Sequence, residues 1–177
     1  SYLKPAGRPG RYLPFPFFLA YAAALLRRDS FPVSVLDAVA ANASLAALAA
    51  FVRGENPDLI FYETTTPTVS HDLELARRLK AETGAEIALG GPHATEFAGE
   101  ILRDEPGVDY VLLYEYEFTL RDLVSRRSGG EGLADLPGIA YRQGNELRVQ
   151  REYQPIDPLD RLPPPAPTQP RGSQTRP

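Results

Sequence analysis

Apolar positions along the chain fall into two kinds of run that alternate between residues 17 and 128. Some are short and β-rich, others longer and at helical spacing. Residues 17–28 (FFLAYAAALLRR) are apolar nearly all round, which predicts a mostly buried helix with Arg27 and Arg28 near its C-terminus. Pro32 stops it, and residues 33–37 (VSVLD) predict a short strand. Asn42 or Ser44 can cap a second helix, where Leu45, Leu48, Phe51 and Val52 recur at helical spacing and Gly54 closes it. Residues 58–62 (DLIFY) predict another strand. Thr68 or Ser70 can cap a third helix, carrying Leu73, Ala76 and Leu79 up to Gly84. Residues 86–89 (EIAL) and 109–113 (DYVLL) predict two further strands. A short helix with Phe97, Ile101 and Leu102 follows the first, and a helix at 118–126 follows the second.

The four strand starts lie 23 to 28 residues apart with one helix in each gap, the rhythm of βα units. The strands lack polar–apolar alternation, as expected when helices cover both faces of a sheet. The expected fold is α/β, a doubly wound parallel sheet over residues 17–128. After Gly129 and Gly130 the pattern changes. Residues 139–142, a turn at Gln143-Gly144-Asn145 and residues 146–150 predict a β-hairpin within 129–154. Residues 1–16 read as an extended leading segment, and 155–177 as a polyproline-like linker outside the core.

Composition narrows the chemistry. Without a cysteine in 177 residues, a disulfide framework, a thiolate metal site, an iron–sulfur cluster and a cysteine nucleophile are excluded within this stretch. Methionine is absent too, so the expectation is a fragment of a longer product, or a sequence stripped of its methionines. The 19 basic and 23 acidic residues are mixed along the chain, without the basic stripe of a nucleic-acid binder. The longest strictly apolar run has ten residues, too few to span a bilayer. With no cleavable leader pattern, the expected compartment is the cytoplasm.

In an open parallel sheet, ligands bind beyond the carboxyl ends of the strands. Three loops fall there: Glu63-Thr64-Thr65-Thr66-Pro67-Thr68, Gly90-Gly91-Pro92-His93-Ala94-Thr95 and Tyr114-Glu115-Tyr116-Glu117. Adjacent glycines let backbone approach a ligand with no Cβ between, and the hydroxyls can bond amide or phosphate groups. The same residue types also make ordinary turns and caps. Glu115 and Glu117 can face one side of an extended loop, or act as surface partners of the next helix dipole. Glycine-rich dinucleotide and phosphate-loop fingerprints are absent, as is a nucleophile elbow. Ser70-His71-Asp72 holds triad residue types, but neighbours on a helix point apart. With two distant histidines and no nucleophile–base pair, neither a catalytic residue nor a metal ligand is expected.

The order FPFFLAYAAALLRR, VSVLDA, TTTPT, LGGPHAT, GVDYVLLYEYEFTL and LADLPGIAYRQGNELRV covers about residues 12–165. It resembles the N-terminal cobalamin-binding domain of radical S-adenosylmethionine enzymes. The most specific pieces are LGGPHAT at 89–95, VDY-x-x-x-x-E-x-E at 108–117 and PGIAYR at 137–142. The resemblance implies a Rossmann-like (flavodoxin-like) sheet holding cobalamin over its carboxyl edge, with the nucleotide tail in the sheet–helix cleft. It also implies the binding residues. Thr64, Thr65 and Thr66 match the loop beneath the tail. Gly90 and Gly91 match the glycine pair beside it, followed by His93 and Thr95. Glu115 and Glu117 match the acidic loop near the base. S-Adenosylmethionine and a four-iron cluster would belong to a catalytic barrel in cis, beyond the proline-rich tail, carrying out methyl transfer or rearrangement. Neither nucleic acid nor membrane is implied as a partner.

The sequence departs from the family in three places. No D-x-H-x-x-G occurs to bring a histidine to cobalt, and Tyr114 and Tyr116 stand where the family often has glycine, which narrows the pocket. The family's opening strand, from the middle of the sheet, would precede Ser1. The expected function is a cobalamin-binding module, non-catalytic alone. Its rival is a flavodoxin-like interaction or regulatory module that keeps the fold without a cofactor.

Overall fold

The computed structural model describes residues 15–153 and 155–166. The expected leading segment up to residue 14 and the end of the tail from residue 167 lie outside the described residues. In chain order the elements are α1 (Phe17–Arg28), α2 (Leu45–Glu55), β1 (Leu59–Glu63), α3 (Val69–Thr83), β2 (Glu86–Gly90) and α4 (Pro92–Glu96). They continue with α5 (Ala98–Asp104), β3 (Tyr110–Leu112), α6 (Glu117–Gly129), β4 (Ile139–Gln143) and β5 (Glu146–Gln150). The strands form one sheet in the order β1-β2-β3-β4-β5. β1, β2 and β3 are parallel, and the β4–β5 hairpin joins β3 antiparallel, so the hairpin extends the sheet itself.

Successive strand residues face opposite sides of a sheet. Ile87, Leu89, Val111 and Ala140 pack against buried residues of α2, α3, α4 and α5. Ala88, Tyr110, Leu112, Ile139 and Tyr141 pack against α1 and α6 on the other face. Both faces are covered, which is why the strands read as unbroken apolar runs. Residues 33–37, expected as the first strand, form only an isolated bridge at Leu36. A ladder needs an adjacent strand to take its N–H and C=O groups, and none of the five sheet strands pairs with this stretch. β1 ends the sheet among the described residues, and all five of its residues are half-buried.

Helix ends follow local chemistry. Ser44 caps α2, its hydroxyl accepting from the Ala47 N–H at 3.2 Å, while Asn42 takes a left-handed φ of 46° in the preceding turn. α2 runs through Gly54 and ends at Asn56, left-handed at φ 47°. Gly84 ends α3 as expected. Ser44→Ala is expected to cost about 1 kcal/mol of stability, seen as a fall of about 2–4 °C in the thermal midpoint.

α1 buries Ala20, Ala22, Ala23, Leu25 and Leu26, but Phe17 and Phe18 at its start are 56% and 59% exposed. The described tail lies along this helix. The Ala166 N–H donates to the Ala20 carbonyl at 2.9 Å, and both Ile156 and Ala166 are buried.

Candidate functional site

The parallel register sets Glu63 level with Gly90 and Leu89 level with Val111, so the carboxyl ends of β1, β2 and β3 share one edge. The loops that leave them are tied together. In the first, Thr64 is buried and donates its hydroxyl to Asp72 Oδ2 at 2.7 Å, and Thr68 does the same at 2.6 Å. Both hydroxyls thus fix the start of α3. Thr65 and Thr66 are exposed. Thr66 Oγ1 lies 3.1 Å from His93 Nδ1 in the second loop, and the His93 ring packs on Phe97 at 4.7 Å. Thr95 Oγ1 accepts from the Tyr114 N–H at 3.1 Å, joining the second loop to the third.

The glycine pair makes close approaches to the chain itself. A Cβ on Gly90 would sit 2.7 Å from the Phe61 ring and 3.2 Å from Tyr116. On Gly91, at φ 96°, it would sit 2.6 Å from the Thr64 carbonyl oxygen. Tyr116 is buried, packs at a tilt against Phe61 with centroids 4.6 Å apart and donates its hydroxyl to Glu63 Oε1 at 2.9 Å. The narrowing expected from a tyrosine at 116 is therefore found over Gly90. Tyr114 takes a left-handed φ of 57°, a region that glycine enters without steric penalty. Its ring lies outside, 4.8 Å from that of Tyr153.

The third loop carries the charge. Glu115 accepts the Ile156 N–H at 2.9 Å, and its hydrogen bond to the Tyr153 hydroxyl raises that phenol's pKa. Glu117, the first residue of α6, is only 2% exposed, so of its two readings the surface partner of the helix dipole does not hold. Its Oε2 has no hydrogen-bond partner among the described residues. Burial pushes the Glu117 carboxyl above its ordinary range against a hydrogen bond from its own N–H, and the Glu115 and Glu63 charges push the same way as burial. Burial raises Glu63 too, opposed by the Tyr116 hydroxyl. Glu115 and Glu117 line a cavity of about 410 Å³ with Phe18 and Tyr21 of α1, roofed by Ile156 and Leu162 of the tail. That volume lies in the range of small-molecule sites, roughly 300–1,000 Å³.

Thus the edge brings together Thr65, Thr66, His93, Thr95 and Glu115 as accessible or half-buried groups, with Thr64, Gly90 and Gly91 beneath and Glu117 in the cavity. Sequence reasoning missed Phe61, which reads as ordinary strand core, and the tail residues that roof the cavity. Asp72 was detectable as a carboxylate four residues after Thr68, at capping distance. Among the described residues no three acidic or histidine side chains could hold a metal ion. None of the described helices is long and apolar enough to cross a membrane.

Residues 10–124 match the B12 binding domain family. The chain is 26% identical over 152 residues to an uncharacterized methyltransferase of Pyrococcus horikoshii, covering 85% of this chain and 33% of that protein. It is 27% identical over 156 residues to the anaerobic magnesium-protoporphyrin IX monomethyl ester cyclase of Rubrivivax gelatinosus, covering 84% and 28%. It therefore spans a third or less of the length of these curated relatives. Two solved structures share the fold. One is the cobalamin-dependent S-adenosylmethionine radical enzyme OxsB with aqua-cobalamin and S-adenosylmethionine bound. It has a TM-score of 0.74 at 16% identity, over 86% of this chain and 21% of that one. The other is the radical S-adenosylmethionine methyltransferase TsrM of Kitasatospora setae with cobalamin and a four-iron–four-sulfur cluster bound. Its TM-score is 0.67 at 20% identity, over 76% and 28%. With a family match that takes in both faces of the sheet and all three edge loops, the chain belongs to the B12-binding domain family.

Proposed function

We propose that the chain binds cobalamin over the carboxyl edge of its sheet, as the corrinoid-holding module of a radical S-adenosylmethionine enzyme. The observation that carries this reading is the match to the B12 binding domain across 10–124, which includes all three edge loops. A cofactor-free module is not favoured by it. The orphaned Glu117 oxygen beside a cavity also fits a ligand site, because buried polar groups are almost always paired.

In this reading the Thr65 and Thr66 hydroxyls, His93 and Thr95 supply polar contacts from the first two loops, and Glu115 and Glu117 from the third. Thr64, Gly90 and Gly91 set the loop shapes beneath. Cobalamin, when bound, supplies a cobalt centre suited to carrying a methyl group, while the protein positions and shields it. For the whole protein we infer methyl transfer or a ring-forming rearrangement, with S-adenosylmethionine and a four-iron cluster held by a catalytic barrel in cis. The names of the two relatives, a methyltransferase and a cyclase, are the ground for that.

Gel filtration of the chain after incubation with hydroxocobalamin tests the binding. The expected result is a protein peak carrying the corrinoid visible spectrum in stoichiometric amount. A colourless protein peak would contradict the reading.

A further inference from the structure

We infer that the cavity between α1, the start of α6 and the tail receives a primary-amide arm of the corrinoid, held by Glu117, so that the domain selects amidated corrinoids over carboxylate ones. This rests on the cofactor reading above and deepens it.

The walls of the cavity are mostly apolar: Phe18 and Tyr21 from α1, and Ile156, Leu159, Leu162 and the neighbouring prolines from the tail. Its acidic groups are Glu115, Glu117 and Asp160. Glu115 already has a partner in the Ile156 N–H. Glu117 is almost wholly buried, yet its Oε2 has no hydrogen-bond partner among the described residues. Buried polar groups are almost always paired, and a donor entering the cavity that Glu117 lines would pair this one. Phe18, 59% exposed at the start of α1, adds an apolar surface beside it. The matching ligand has an apolar body that carries uncharged hydrogen-bonding arms, and a corrin rimmed with primary amides has that chemistry.

A primary amide suits Glu117 in either protonation state. Its N–H donates to an ionised carboxylate. With a protonated carboxyl it forms a two-bond pair, N–H to one oxygen and O–H to the amide carbonyl. The second pairing is favoured here, because burial raises the Glu117 carboxyl. A carboxylate arm lacks the donor and would bring another negative charge beside Glu115, Glu117 and Asp160 in a poorly solvated space.

The test compares cobinamide, which keeps the amide arms and lacks the nucleotide tail, with cobyrinic acid, which carries carboxylates. Affinities are read from the corrinoid spectrum at about 0.5 M salt, where charges beyond a few ångströms are screened. The wild-type chain is expected to prefer cobinamide at least about tenfold, equivalent to ~1.4 kcal/mol. Glu117→Gln is expected to bring the two within about threefold, because a glutamine amide pairs with either arm. Glu74→Gln removes the same charge from α3, on the opposite face of the sheet, and is expected to leave the preference intact. Thermal melts establish that each variant is folded, and the wild-type comparison needs no variant. Equal wild-type affinities, or an undiminished preference in folded Glu117→Gln, would overturn this inference alone. Binding of hydroxocobalamin but of neither tail-less corrinoid would also overturn this inference alone, and failure to bind all three would overturn it together with the cofactor reading.

Discussion

Gly91→Ala lowers the stability of the chain by about 2–6 kcal/mol, the largest effect expected at any single edge-loop position. Two causes add. At φ 96° and ψ 172° Gly91 occupies a region essentially restricted to glycine, and forcing another residue there costs about 1–3 kcal/mol. The new Cβ would also sit 2.6 Å from the Thr64 carbonyl oxygen. That oxygen belongs to backbone held in place by the Thr64 N–H bond to the Gly90 carbonyl at 2.9 Å, so it has little room to retreat. Overpacking of this kind costs about 1–3 kcal/mol. Against a total near 5–15 kcal/mol the loss is large. Gly84→Ala is the control. Gly84 is also left-handed, at φ 71°, but a Cβ there meets nothing within 4 Å, so only the conformational cost of about 1 kcal/mol remains. Urea unfolding reads both variants. Equal losses would mean that the first two loops are not in the contact described.

Glu117→Gln is expected to stabilise the ligand-free chain at pH 7, because it removes a buried charge while keeping the side chain's shape. The sign follows from linkage. Burial holds the Glu117 carboxyl above its ordinary value, so the folded chain binds this proton more tightly than the unfolded chain does. Its contribution is complete below the ordinary carboxylate range and is lost as pH rises through the raised value. Glu63 acts in the same direction. Asp29, Glu82 and Asp135, held low chiefly by Arg28, Arg78 and Arg126, act oppositely, losing their contributions as pH falls through their lowered values. The advantage of Glu117→Gln therefore shrinks as pH falls and vanishes by about pH 3, where the carboxyl is protonated in both states. Thermal melts across this interval check it. A variant no more stable than wild type at pH 7 would show that Glu117 has a partner in solution.

The α/β order was legible because the longer helices announced themselves by spacing and the parallel strands by apolar runs, the mark of a sheet covered on both faces. By contrast α4 (Pro92–Glu96) reads as loop, because its five residues are too few to show a helical period. Residues 33–37 had the same local pattern and did not become a sheet strand. A strand is completed by its neighbours, and local composition does not contain them. The hairpin was equally plain from its Gly144 turn, but its attachment to β3 rests on the pairing of Tyr110 with Tyr141, a contact with no local signature.

At the site, the parallel reading sufficed to put the three loops on one edge. What individual side chains do there was not readable. Thr64 seemed one hydroxyl among several, yet it is buried and bonded to Asp72. The glycine pair suggested room for a ligand, whereas its close contacts are Phe61, Tyr116 and the Thr64 backbone. Glu117 reads equally as a loop ligand or as a surface partner of the helix dipole, and it is the tail and α1, distant in sequence, that share its cavity.

The central claim is that the carboxyl edge of this sheet holds a corrin. Diffraction at the cobalt absorption edge, from crystals of the chain grown with hydroxocobalamin, tests it most directly. The expected result is a single anomalous peak over the edge, bordered by Thr66, His93 and Glu115. A cobalt bound anywhere else on the chain, or no cobalt over three ordered loops, would contradict it.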